Sequence, residues 1–150
     1  MFASLFRFSQ SRDAGPHPAF GFITALDEHV KWKLHFETAL RAGGGGYSEL
    51  QVARGDSTRL AYWLAEISAT PQADDAVVSD LRQAFFRFFA AAAQALSLAS
   101  QGETAAAQQS IAHGDYQEGS RRMKRLLVEM EQRRLRNAAD TATALRGAAA

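Results

Sequence analysis

Apolar residues recur at intervals of three and four along most of the chain, and nowhere do they alternate one for one as in a half-buried strand. The pattern predicts an all-α protein. On a first helix from Pro18 to about Ala42, the residues Phe22, Leu26, His29, Trp32, Phe36 and Leu40 share one face. The run Gly43 to Gly46 closes that helix, because four consecutive glycines carry too high an entropic cost to stay helical. The stretch that follows, as far as Asp56, reads as the longest irregular linker. Asp56 or Ser57 can then cap a short second helix through "TRLAYWLAEI".

Thr70 followed by Pro71 marks the start of a long third helix, with Asp74 and Asp75 early where the positive end of the dipole favours them. Its apolar stripe holds Leu81, Phe85, Phe88, Phe89, Ala92, Leu96 and Ala99, while Phe86 falls off it. The helix should end near Gly102. A shorter segment follows to about His113, and Asp115 with Glu118 three residues later offers a capping-box-like start for a last helix through Leu135 or beyond. The expected architecture is an antiparallel four-helix bundle with an additional short helix and a short N-terminal segment. Residues 1–17 would form a flap, 18–136 the bundle, and 137–150 an alanine-rich tail that frays.

Composition narrows the class. The chain has 150 residues, 47% of them hydrophobic, and no cysteine, so it can bury a real core but can form no disulfide, thiolate metal site or thiol switch. A cytoplasmic protein is expected. Charges interrupt every apolar run before it reaches the roughly 18 to 20 residues that a membrane span needs. The N-terminal stretch "MFASLFRFSQSR" is aromatic, weakly basic and free of acid, and is expected to cover the domain or a neighbouring chain.

The formal charge of +1 conceals an asymmetry. Residues 121–136 carry Arg121, Arg122, Lys124, Arg125, Arg133, Arg134 and Arg136 against Glu129 and Glu131 only. Such a stripe could meet nucleic acid. Leu126, Leu127, Met130 and Leu135 interleave it at helical spacing, so it is read as the solvated back of a packed helix instead.

Catalytic patterns are missing. The glycine run has neither the Lys-Ser/Thr nor the preceding strand of a phosphate loop, and the pairs Asp27–Glu28 and Asp74–Asp75 diverge around a helix as adjacent residues. No enzymatic activity is expected. His29, in the middle of an apolar face, needs a hydrogen-bond or metal partner, because a buried unsatisfied imidazole costs on the order of 1 to 3 kcal/mol.

The order of motifs resembles the chemoreceptor zinc-binding domain, a bacterial sensory module found alone or attached to chemoreceptors and diguanylate cyclases. In that family a first helix carries His-x-x-aromatic, a short second helix Cys-x-Leu-Gly-x-aromatic, and a third His-x-x-x-His. Here "HVKW" (His29 to Trp32) matches the first. "TRLAYW" (Thr58 to Trp63) matches the second in its leucine and aromatic, with Thr58 for the cysteine and Ala61 for the glycine. "AFFRFFA" sets Phe85 and Phe89 where the two histidines would stand. "HGDYQEGS" is similar to the family's closing Gly-(Asp/Glu)-Tyr-x-x-x-Ser segment. The likeness spans roughly residues 19–130.

The resemblance implies a degenerate zinc site at His29, Thr58, Phe85 and Phe89, of which His29 is the one retained ligand. Zinc is not expected: a tetrahedral site takes about four N, S or O donors, and phenylalanine supplies none. His17, His35 and His113 are spares without a place in the motif, and helical rotation turns His35 away from His29. An aromatic plug of Trp32, Trp63, Phe85 and Phe89, with Phe88 beside it, is expected to replace the metal, with the Thr58 hydroxyl bonding the imidazole. The function expected is a noncatalytic regulatory module working through a protein partner or homodimer, with Phe86, Arg121, Arg122 and Arg125 as contact candidates. Two alternatives stand beside it: a small-molecule, haem or residual-metal sensor using His29 in an apolar pocket, and nucleic-acid binding by the basic last helix.

Overall fold

A computed structural model describes residues 21–56 and 58–149, and among these no strand occurs. Six α-helices follow one another: α1 (Phe22–Arg41), α2 (Glu49–Arg54), α3 (Arg59–Ile67), α4 (Ala76–Ser100), α5 (Thr104–Ala112) and α6 (Gly114–Ala148). A 3₁₀ turn, Pro71–Asp74, joins α3 to α4. No helix among the described residues is long and apolar enough to cross a membrane. The expected entry of helix one at Pro18, the flap 1–17, His17 and the Ser57 cap lie outside the described residues.

α4 runs through the centre of the molecule. Its expected stripe is buried in full, from Leu81 through Phe85, Phe88 and Phe89 to Ala99, and each of the three phenylalanines contributes on the order of 2 to 3 kcal/mol of burial. Alanines at 84, 92, 93 and 95 are buried as well, which lets neighbouring helices approach closely. Gly119 of α6 marks one close approach: a Cβ there would stand 3.0 Å from the backbone nitrogen of Phe88. The pairs Arg122–Asp80 and Arg87–Asp115 show α6 running antiparallel to α4, and His29–Ser120 with Glu37–Tyr116 show it antiparallel to α1. α1, α4 and α6 thus form the frame. α5 packs beside all three, and α2 lies on α4.

Several boundaries differ from the sequence expectation, each for a local reason. The linker after the glycine run contains α2, whose six residues are too few to show a period and of which Val52 alone is buried. Thr58, not Asp56, caps α3: its Oγ1 accepts from the Ala61 N–H at 3.2 Å and donates to the Gly55 carbonyl at 2.9 Å. α4 starts five residues past Pro71 because Asp75 accepts from the Val77 N–H at 2.9 Å, which leaves Pro71–Asp74 as a separate 3₁₀ turn. No capping box forms at α6, since Asp115 pairs with Arg87 and Glu118 with Arg121, and the helix starts at Gly114 behind His113. At the other end α6 stays helical through Ala148, across the residues expected to fray.

Gly44 shows why glycine is needed after α1. It has φ +78°, and a Cβ there would fall 2.5 Å from Leu96 Cδ1, so the turn can fold down onto α4 only without a side chain.

Candidate functional site

Four residues spread over the first 89 positions converge on one spot. His29 from α1, Thr58 from the cap of α3, and Phe85 and Phe89 from α4 all line a single cavity of about 10 Å³, with Glu28 and Met123 also at its wall. Its volume admits one water. The helical period makes this convergence: Phe85 and Phe89 are one turn apart on α4, and the left-handed Gly55 (φ 61°) brings the chain between α2 and α3 down onto them. A Cβ at Gly55 would strike Phe85 Cζ at 2.4 Å.

His29 is 4% exposed, and its Nε2 makes a 2.9 Å hydrogen bond to the Oγ of fully buried Ser120 on α6. The partner is therefore Ser120 and not Thr58, whose hydroxyl is already engaged as donor to Gly55 and as acceptor from Ala61. Burial pushes the imidazole pKa down from 6.5 to about 3, and the positive charges of Lys33 and Lys124 push in the same direction. His29 is accordingly neutral at physiological pH. Its ring stands edge-on to Phe88, with centroids 4.8 Å apart.

One helical turn deeper, Tyr116 is fully buried and its hydroxyl donates to Glu37 Oε1 at 3.0 Å. Lys33 Nζ is 3.9 Å from the same carboxylate oxygen and 5.3 Å from the Tyr116 ring centroid. Burial, then the Glu37 carboxylate, raises the Tyr116 pKa, so the phenol stays protonated as a donor. Lys33 is itself half-buried, which lowers its pKa against the pull of Glu37. The two α1–α6 hydrogen bonds come from Tyr116 and Ser120 of "GDYQEGS". Sequence reasoning marked that segment as a motif and gave neither residue a role.

The aromatic cluster joins Trp32, Phe85 and Phe89 with Phe88 and also takes in Phe36. Trp32 stacks on Phe36 at 4.7 Å and meets Phe89 edge-on at 4.9 Å and Phe88 at 5.7 Å, and Phe85 lies 4.6 Å from Phe89. Trp63 is half-buried, with its ring edge-on to Phe22 at 5.5 Å. Phe86 is 52% exposed, off the core stripe as its helical position requires.

Four of the seven basic residues at 121–136 are paired. Arg121 meets Glu118, Arg122 meets Asp80, Arg133 meets Asp75 and Arg134 meets Glu131. Leu126 and Leu127 are buried behind them, but Leu135 is 53% exposed, so the packed face stops short of it. Among the contact candidates, Phe86 projects about 120° around α4 from Asp80, the residue that holds Arg122. His35 and His113 are exposed and stand apart from the cavity.

The donor set does not fit tetrahedral zinc. At the cavity His29 is bonded to Ser120, Glu28 accepts from the Arg59 N–H at 3.2 Å, Thr58 is engaged on both sides, and Phe85 and Phe89 offer no donor atom. Among the described residues no group of three or more His, Cys, Asp or Glu could hold a metal ion. No family model, curated protein or solved structure matches the chain.

Proposed function

We propose that the chain is a noncatalytic regulatory module of the chemoreceptor zinc-binding type, in which an aromatic core has replaced the metal and signals pass through contact with another protein. In this view the frame of α1, α4 and α6, completed by the shorter helices, corresponds to the family's four-helix bundle. One observation carries the proposal. The four positions that the motif comparison assigns to zinc ligands, His29, Thr58, Phe85 and Phe89, line the same small cavity. Phe85 and Phe89 are one turn apart on α4, and the approach of His29 and Thr58 to them from α1 and the start of α3 is the arrangement that the motifs describe.

The chemistry at that point favours a fixed core over a gated one. Two phenylalanines fill the volume with apolar surface, and the remaining histidine is held neutral and bonded to Ser120. A haem or another flat ligand at His29 would have to displace these rings, since the cavity holds about 10 Å³. The pairing of four of the seven basic side chains at residues 121–136 favours protein contact over phosphate binding.

The test is to rebuild the site. The triple variant Thr58→Cys, Phe85→His, Phe89→His restores the family's ligand set around His29. It is expected to take up one zinc per chain in a tetrahedral environment, while the unaltered protein melts at the same temperature with zinc or with chelator. A triple variant that folds and takes up no zinc overturns the proposal, as does zinc binding at His29 in the unaltered protein. In a chimera that replaces the zinc-binding domain of a chemoreceptor, the unaltered chain should make output zinc-independent and the triple variant should restore the response.

A further inference from the structure

α1 and α6 share an outer face. At 100° per residue from Ser120, which bonds His29, the buried Gly119, Met123 and Leu126 turn to one side, towards α4, and Lys124 and Arg121 turn to the other. The same sense of rotation from His29 leads on α1 to Lys33, Val30, Ile23 and Leu34, between about 40° and 140°. The two helices are antiparallel and face each other, so equal rotation brings both sets to the same side of the pair. Lys33 accordingly feels the positive charges of Lys124 and Arg121 across the seam.

This face joins an apolar ridge to a basic strip. Ile23, Val30 and Leu34 are 51%, 49% and 62% exposed and fall within about 40° of one another, so they line up along α1 and are not scattered. Beside them, Lys33 and Lys124 are half-buried. Burial lowers the Lys33 pKa, Glu37 pulls it back, and Lys124 and then Arg121 push it down again. Glu37 is shared with the Tyr116 hydroxyl, and Arg121 has an exposed pair with Glu118 of the kind that contributes little. Lys124 makes no ion pair with any described residue. The seam therefore holds more positive charge than its acids answer. A second copy seated on this face by a two-fold axis would set these cations against their own kind. A helix with an apolar face and a carboxylate flank matches both features.

We propose that the α1–α6 face docks an acidic amphipathic helix of another protein, with apolar side chains over Ile23, Val30 and Leu34 and carboxylates over Lys33, Lys124 and Arg121. This names the partner class for the protein contact proposed above and rests on that reading only in taking contact with another protein as the mode of action. The probe is a labelled helical peptide with a leucine stripe flanked by glutamates. Full-length protein should bind it at least tenfold more tightly than a scrambled peptide of the same composition. Binding should weaken at least tenfold in Lys33→Met with Lys124→Met and in Val30→Ser with Leu34→Ser, and stay within twofold in Arg146→Met. Lys124→Met alone should raise the melting temperature of the free protein while weakening binding, a combination that a structural role does not give. Equal binding of the scrambled peptide, binding that survives both double variants, or a fall in that melting temperature overturns the proposal. So does tighter binding to phosphatidylcholine vesicles containing phosphatidylglycerol, which would assign the face to a membrane, or a dimer lost in Val30→Ser with Leu34→Ser, which would assign it to a second copy. No measurement here involves zinc, so the result is independent of the rebuilt zinc site.

Discussion

Ser120 Oγ and His29 Nε2 lie 2.9 Å apart, joining positions 91 residues distant in the chain, both buried. The bond links α1 to α6 and, among the described residues, is the polar tie that holds the imidazole in place. Ser120→Ala leaves a buried nitrogen without its partner and should destabilise the fold by about 1 to 3 kcal/mol in urea unfolding. Removing both partners, as His29→Leu with Ser120→Ala, should recover most of that loss, because an apolar pair leaves nothing unsatisfied. Losses that simply add would show that the two side chains are not coupled.

Gly119 sets the distance between α4 and α6. A Cβ there would stand 3.0 Å from the Phe88 nitrogen and 3.1 Å from its Cα, and backbone cannot rotate out of the way. Gly119→Ala should therefore cost about 1 to 3 kcal/mol in spite of alanine's better helix propensity. Thermal melting checks the sign, and a gain in melting temperature would show that the helices can part at no cost.

At Tyr116 the hydroxyl, not the ring, reaches Glu37. Tyr116→Phe keeps the packing against Phe88, where the ring centroids are 4.7 Å apart, and removes the donor. The expected loss is about 1 to 2 kcal/mol in chemical denaturation. Glu37→Gln, which can still accept from the phenol, should lose less.

Much of this was legible in the sequence, and the parts that were not have physical reasons. The stripe of α4 and the exposure of Phe86 follow from a period of 3.6 sustained over 25 residues. α2 did not show, since six residues with one buried side chain carry no period. The cap of α4 was misplaced because Pro71 and Asp75 both signal a start, and only the chain's path decides that the first turn closes as 3₁₀. At the site, the family resemblance named His29, Thr58, Phe85 and Phe89 as a group, and all four stand at the wall of one cavity. The resemblance could not assign the imidazole's partner, because Thr58 and Ser120 are equally able donors in sequence and the competing bond from Thr58 to Gly55 appears only in three dimensions.

The pH dependence of stability should carry the signature of His29. Its pKa is lowered from 6.5 to about 3, chiefly by burial and then by Lys33 and Lys124, while Glu28 is the carboxylate beside it at the cavity wall. Between those two values the unfolded chain binds a proton that the folded protein refuses, so stability rises with pH there. The contribution is complete above about pH 6.5 and is lost progressively as the pH falls towards 3, on the order of 3 kcal/mol by pH 4. The measurement is a difference between two proteins, so that contributions common to both cancel. Urea unfolding of the unaltered protein and of His29→Gln, each at pH 7 and pH 4, should show the unaltered protein losing about 3 kcal/mol more than the variant, whose amide keeps a partner for Ser120 and takes up no proton. Parallel losses in the two proteins would mean that His29 accepts its proton while folded, which would require the cavity beside it to open to water.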